Sequence, residues 1–266
     1  MNSLVDNIYV INMKKDVERL NKFKQQCDDL FKYEIIEGVD VRSDKYEIFY
    51  NTWKEKVDES ATYDTFDWRY YLSRYKDLRD SGINNKENAW IHYINNGKKE
   101  LRSCNPTNDI VNIGQLGCLL SHINVLKDAI DKKYENILIL EDDIIISDSF
   151  NKRIHEIKEL MDKDWNIIYL GVSQRNWDNI HIYNNFYTAK ETTGTFAYII
   201  NSSFYETLLN KFKNINKPVD NYLVEIQETY MMKVVYPNII FCELEDSNIS
   251  EKRKHEIWYK KFKWDL

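Results

Sequence analysis

Over most of the chain, apolar positions alternate between two rhythms. Asn7–Asn12 (NIYVIN) is short, β-branched and bounded by polar residues, and reads as a buried strand. Val17, Leu20, Phe23, Cys27 and Leu30 then recur at helical spacing, with Asp16 placed to cap the helix. Residues 33–39 read as a second strand ending near Gly38. Strand, helix and strand at this spacing predict a βαβ unit with parallel strands.

The rhythm resumes at Gly114. Leu116, Leu119, Leu120, Ile123, Leu126, Ala129 and Ile130 predict an amphipathic helix. Residues 137–146 (ILILEDDIII) read as a strand interrupted by three acids, followed by a helix from Phe150 to Met161. Strands are expected at 167–170, ending at Gly171, and at 196–200. Ser202 or Ser203 would cap a helix running to Phe212. Pro218 would open a helix lasting to about Lys233, before a strand at 239–242. The alternation predicts an α/β domain over residues 1–43 and 107–266. The intervening 44–106 breaks it. There FDWRYYL (66–72) and AWIHYI (89–94) are aromatic, helix-compatible and separated by a turn at Gly82. A small helical insert follows, its aromatics expected as a miniature core rather than a binding surface.

Composition narrows the function. The chain has 266 residues, of which 43% are hydrophobic, enough for a folded core. A net charge of −6 speaks against nucleic-acid binding as the main task. No apolar run is long enough for a membrane span, and no secretory signal is visible at the N-terminus. The cysteines, Cys27, Cys104, Cys118 and Cys242, are scattered without a CxxC pair. Reduced core thiols and a cytoplasmic location are therefore expected. Nothing in the sequence sets an oligomeric state.

Glu141, Asp142 and Asp143 carry the strongest chemical signal. Adjacent carboxylates at the end of an apolar run are opposed by desolvation and mutual repulsion. A hard dication, Mn²⁺ or Mg²⁺, would reconcile them and keep positions open for substrate phosphates. On a continuous strand Glu141 and Asp143 would share a face while Asp142 points elsewhere. The plain alternative is a solvated acidic turn. Gly114 and Gly117 at a helix start offer backbone N–H groups to an anion, or merely make a turn. His122 on the flank of that helix reads as hydrogen-bonded structure or as a ligand. Asp220, entering a helix after Pro218, would be kept ionised by the helix dipole, as a general base requires, or would act only as a cap.

Together these pieces resemble glycosyltransferase family 25, which includes lipopolysaccharide-core and collagen-modifying transferases. The resemblance is carried, in order, by Tyr9-Val10-Ile11-Asn12 with Arg19, by Gly117-Cys118-Leu119-Leu120-Ser121-His122 and by Leu140-Glu141-Asp142-Asp143. Gly194-Thr195-Phe196-Ala197-Tyr198 and Pro218-Val219-Asp220 complete it. It implies a GT-A type α/β fold, with a mixed, mostly parallel sheet flanked by helices. It also implies a UDP-sugar donor carrying galactose or glucose, a glycan or hydroxylated protein acceptor, and inversion at the anomeric carbon. Carried over, Asn12, Arg19, Gly117, Ser121, His122, Asp142 and Thr195 would bind the nucleotide sugar. Glu141 and Asp143 would hold Mn²⁺ or Mg²⁺, and Asp220 would be the base. The chain departs from the family at Lys14-Lys15, at Leu126 and at Ser247-Asn248-Ile249, where a possible ligand is lost. Residues 66–102 look like a helical module found beside glycosyltransferases. The rival expectation is a non-catalytic carbohydrate- or protein-binding module that keeps the fold. A metal-dependent phosphatase ranks below both, for want of an Asp-x-Asp-x-Thr pattern.

Overall fold

The computed structural model describes residues 1–59, 62–100, 102, 104, 110, 113–243 and 255–264. The divergent Ser247-Asn248-Ile249 lies outside them. In chain order the elements are β1 (Asn7–Asn12), α1 (Val17–Cys27), β2 (Glu34–Glu37), α2 (Glu47–Glu59), α3 (Trp68–Arg74), α4 (Lys76–Asp80) and α5 (Lys86–His92). There follow α6 (Ile113–Asp131), β3 (Asn136–Glu141), β4 (Ile144–Ile146), α7 (Phe150–Met161), β5 (Ile167–Gln174), β6 (Ile182–Tyr183) and β7 (Phe186–Thr188). The series ends with β8 (Thr192–Asn201), α8 (Tyr205–Phe212), α9 (Val219–Val224), β9 (Met232–Val235), β10 (Ile240–Cys242) and α10 (His255–Phe262). Among the described residues, no helix is long and apolar enough to cross a membrane.

Two compact units emerge. The first comprises Met1–Val39, Leu120–Lys213 and Val219–Leu266. The second comprises Asp40–Leu119 and Asn214–Pro218.

The first unit is built on a sheet ordered β2-β1-β3-β8-β5-β9-β7-β6. Strands β1, β2, β3, β5, β6 and β9 run one way, and β7 and β8 oppose them. This is the mixed, mostly parallel α/β sheet flanked by helices that the sequence leads one to expect. The central strands are apolar on both faces because both are covered. Ile8 and Val10 share one core with Phe23 and Cys27 of α1 and Phe150, Ile157 and Leu160 of α7. Tyr9 points the other way and donates to Asp128 of α6. Gly171 shows why a glycine survives in β5: a Cβ there would meet the Ile240 carbonyl oxygen at 2.0 Å. Only hydrogen fits where β10 crosses.

The structure corrects several boundaries. Residues 137–146 are not one strand. The chain turns at Asp142-Asp143, and β4 leaves the main sheet to pair with β10. Adjacent buried acids cannot sit in a central ladder, so the break falls on them. The helix after Pro218 ends at Val224 rather than Lys233, and β9 claims Met232–Val235 instead. Methionine and lysine favour a helix in isolation, but pairing between β5 and β7 buries this segment completely as a strand. β5 continues through Gly171 to Gln174, and β8 begins at Thr192. Neither Ser202 nor Ser203 caps α8, whose N-cap Phe204 makes no side-chain cap bond; Asn201 instead caps the 3-10 turn Ser202–Phe204 before it, accepting from the Ser203 N–H at 2.9 Å. Asp16 occupies the N-cap position of α1 but makes no side-chain cap bond.

In the second unit, Phe66, Tyr71, Leu72, Leu78, Ala89, Tyr93 and Cys104 form a small core, as the miniature-core reading expects. Phe66 stacks on Tyr93 at 5.4 Å, and α5 continues into a π-helical turn over Tyr93–Gly97. Asp67 and Asn85 cap α3 and α5 by accepting from Tyr70 and Asn88 N–H groups. Trp53 Nε1 donates to the Ile215 carbonyl at 2.9 Å, tying Asn214–Pro218 into this unit.

Candidate functional site

The site lies in the first unit, at the carboxyl ends of β1 and β3. These strands are parallel neighbours in register, Ile11 opposite Glu141, so Asn12 and the acids arrive at the same edge of the sheet. In open α/β sheets that edge is where ligands bind.

Asn12 is buried, and its Nδ2 donates to Asp142 Oδ2 at 2.6 Å and to the Asp16 carbonyl at 3.2 Å. Arg19, in the first turn of α1, places one nitrogen, Nη2, 2.7 Å from Asp142 Oδ1 and 2.7 Å from Asp143 Oδ2. The expected face-sharing of Glu141 with Asp143 is therefore replaced. The turn after β3 points both aspartates at Arg19. Glu141, still on the strand, instead accepts from Thr195 Oγ1 at 3.3 Å and lies 3.7 Å from His122 Nε2. His122 is fully buried, stacked on Tyr198, with Nδ1 2.9 Å from the Tyr198 hydroxyl. Its Nε2 has no hydrogen-bond partner.

The electrostatics follow from this arrangement. Burial, with the charge of Glu141 behind it, pushes Asp143 up to about 7 against the pull of Arg19. Burial likewise raises Asp142, opposed by Arg19 and by the hydrogen bond from Asn12. Burial disfavours the Arg19 cation, yet Asp143, Asp142 and Glu141 together raise its pKa. A protein cation thus balances two of the three acids. Repulsion alone does not demand a metal, as the sequence reading supposed.

What does fit a metal is narrower. Asp143 Oδ1 is a buried carboxylate oxygen with no hydrogen-bond partner. A hard carboxylate oxygen of this kind is the donor that Mn²⁺ and Mg²⁺ prefer.

The remaining predicted residues are more dispersed. Asp220 sits in the first turn of α9, and its Oδ1 accepts from the Asn221 N–H at 3.0 Å. Burial, reinforced by the charge of Glu141, raises its pKa against the pull of Arg175. The short helix does not lower the pKa, as a dipole argument expects; desolvation outweighs six residues of aligned peptides. Ser121 uses its hydroxyl to accept from the Val39 N–H at 2.8 Å, fixing the chain after β2. Gly117 is buried within α6 and belongs to the second unit. Sequence reasoning passed over Tyr198 and Arg175. Tyr198 stood inside a quoted motif, and its alternation with Ala197 and Ile199 along β8 was the available signal. Arg175, just past β5, offered none.

An α/β sheet with a hydrogen-bonded acidic cluster at the carboxyl ends of its parallel strands places the chain in the open-sheet α/β class. The family is specific. The model for glycosyltransferase family 25 (LPS biosynthesis protein) matches residues 5–223, and the chain belongs to that family. Among characterised relatives it is 39% identical to procollagen galactosyltransferase 2 of Mus musculus over 61 residues, covering 22% of this chain and 10% of that protein. It is 30% identical to procollagen galactosyltransferase 1-B of Xenopus laevis over 120 residues, 41% of this chain and 19% of that one. A third, the probable inactive glycosyltransferase 25 family member 3 of Rattus norvegicus, is 36% identical over 66 residues, 24% of this chain and 12% of that protein. The match to the mouse galactosyltransferase thus spans about a tenth of its length.

Proposed function

We propose that this chain is a metal-dependent, inverting hexosyltransferase that moves galactose or glucose from a UDP-sugar to a hydroxyl on a glycan or hydroxylated protein acceptor. Family membership supports the reaction class. The observation that carries the metal-dependent reading is the buried, unpartnered Asp143 Oδ1 beside Glu141 and Asp142 at the end of β3.

In this reading Asp143 and Glu141 hold Mn²⁺ or Mg²⁺, which when bound stabilises charge on the departing diphosphate. Thr195 orients Glu141 through its hydroxyl. Asn12 holds Asp142 in place through Nδ2, leaving Asp142 as an acceptor toward the nucleoside. Arg19 offers a guanidinium fork to phosphate. Asp220 removes the proton from the acceptor hydroxyl as it attacks the anomeric carbon, and burial makes it a stronger base than an exposed carboxylate. His122 and Ser121 support the donor side from α6.

A second reading is a binding module without turnover. It is favoured by Arg19, which lets the acids coexist with no cation bound. The name of one relative, a probable inactive family member, is consistent with it.

The separating experiment is transfer or hydrolysis of UDP-galactose and UDP-glucose by the purified chain with manganese, alongside Asp143→Ala. Wild-type turnover, abolished in a variant with unchanged circular dichroism, is expected. Near wild-type turnover in Asp143→Ala overturns the metal assignment. Inertness of the wild type across the donor panel favours the binding module.

A further inference from the structure

Arg19 has a geometry that a structural ion pair does not need. One nitrogen serves both aspartates, so their two oxygens lie no more than about 5.4 Å apart. A small dication draws each ligand oxygen to about 2.1 Å. The oxygens therefore close by little more than about 1 Å to exchange the guanidinium nitrogen for a metal ion. The rest of the fork is poorly used: Arg19 Nε is buried without an acceptor. A guanidinium holding one carboxylate pair through a single nitrogen, with another donor orphaned, is not at its best partner. A diphosphate would engage two of its donors at once.

The acids are unequal in how they are held. Asp142 keeps a second anchor in Asn12 Nδ2, 2.6 Å from its other oxygen. Asp143 has none, and its Oδ1 is unpartnered. Loss of Arg19 from the pair thus leaves Asp142 fixed and frees Asp143. Arg19 itself sits in the first turn of α1, so a change of side-chain rotamer suffices and the backbone need not move.

We propose that Arg19 is a resident counter-ion. It occupies the cation position between Asp142 and Asp143 until a divalent cation enters, then gives it up and passes to the diphosphate of the incoming nucleotide. Cation and nucleotide then bind cooperatively, because each removes a cost that the other would otherwise meet. This inference rests on the metal reading above and changes one ligand of it: Asp142, rather than Glu141, joins Asp143 at the cation, because Glu141 is turned toward Thr195 and His122.

The test uses manganese alone and UDP as probes, with binding to the full chain followed by calorimetry and Mn²⁺ electron paramagnetic resonance. Arg19→Met removes the competitor, so Mn²⁺ without UDP should bind at least ten-fold more tightly than to the wild type. Its melting temperature in EDTA should fall and recover with Mn²⁺. Arg19→Lys keeps a charge but loses the fork. It should bind Mn²⁺ alone much as the wild type does, and lose the enhancement of Mn²⁺ binding by UDP. It also keeps the test alive if the methionine variant fails to fold. If folded Arg19→Met binds Mn²⁺ no better than the wild type, or Arg19→Lys retains the full UDP enhancement, Arg19 is a brace and the inference is overturned. If the wild type and both variants bind no Mn²⁺ even with UDP, the metal reading itself fails and the inference falls with it.

Discussion

Asn12 and Asp142 stand 130 residues apart in the chain and 2.6 Å apart in the fold, the amide of one donating to the carboxylate of the other. That bond joins the last residue of β1 to the turn after β3, and both partners are buried. Asn12→Ala removes a hydrogen bond to a charged acceptor and leaves Asp142 short of a partner. The expected cost is about 1.5–3 kcal/mol of unfolding free energy, read from urea denaturation. Asn12→Asp should cost more, because it sets a fourth carboxylate against the cluster. Equal stability of all three proteins would show that the bond contributes nothing.

Gly171 cannot carry a side chain. Alanine there puts a Cβ 2.0 Å from the Ile240 carbonyl and 2.5 Å from the Phe196 ring. The ring can turn aside, but the carbonyl belongs to β10 and moves only with it. Gly171→Ala should lose about 3 kcal/mol or more, at or beyond the upper end of ordinary overpacking. A melting temperature within a degree or two of wild type would refute this.

Asp220→Asn tests the base. The amide is nearly isosteric and cannot take a proton, so kcat should fall roughly 10²–10⁴-fold with little change in donor KM. The sign of the pH dependence follows from burial, which raises the pKa of Asp220. The group works deprotonated, so transfer should fade as pH drops through that raised value, at a higher pH than an exposed aspartate would give. A variant that keeps its rate, or a wild-type acid limb no higher in pH than an exposed aspartate gives, counts against Asp220.

Cys27 reports on the core between α1 and β4. It is fully buried, and desolvation, aided by the charge of Asp28, pushes its thiol up to about 12. Thiolate, the reactive form, is thus scarce at pH 8. Iodoacetamide should leave Cys27 unmodified in the native protein and label it in urea, as judged by peptide mass spectrometry. Equal labelling in both states would mean that this core opens readily.

Much of the architecture was legible because burial imposes a period on sequence. β1, α1, α6, α7 and β8 each carry the apolar spacing of their element, and the aromatic segments at 66–72 and 89–94 announced their own core. The hairpin β6–β7 was missed. Its signal was present: Asn184-Asn185 between aromatic residues, with Asn184 at φ 48. β9 was taken for helix because a strand of four residues shows no period that a helix end cannot imitate.

The site divides along the same line. By itself the sequence determined that three acids end a buried apolar run, since adjacent residues keep their adjacency however the chain folds. Only tertiary structure decided what those acids face. The register of β1 on β3 brought Asn12 to Asp142, and α1, packed across β1, brought Arg19 to both aspartates. A turn sent Glu141 the other way, toward Thr195 and His122. Contacts of this kind leave no periodic trace, because they are set by where separate elements meet in space rather than by the order of residues along any one of them.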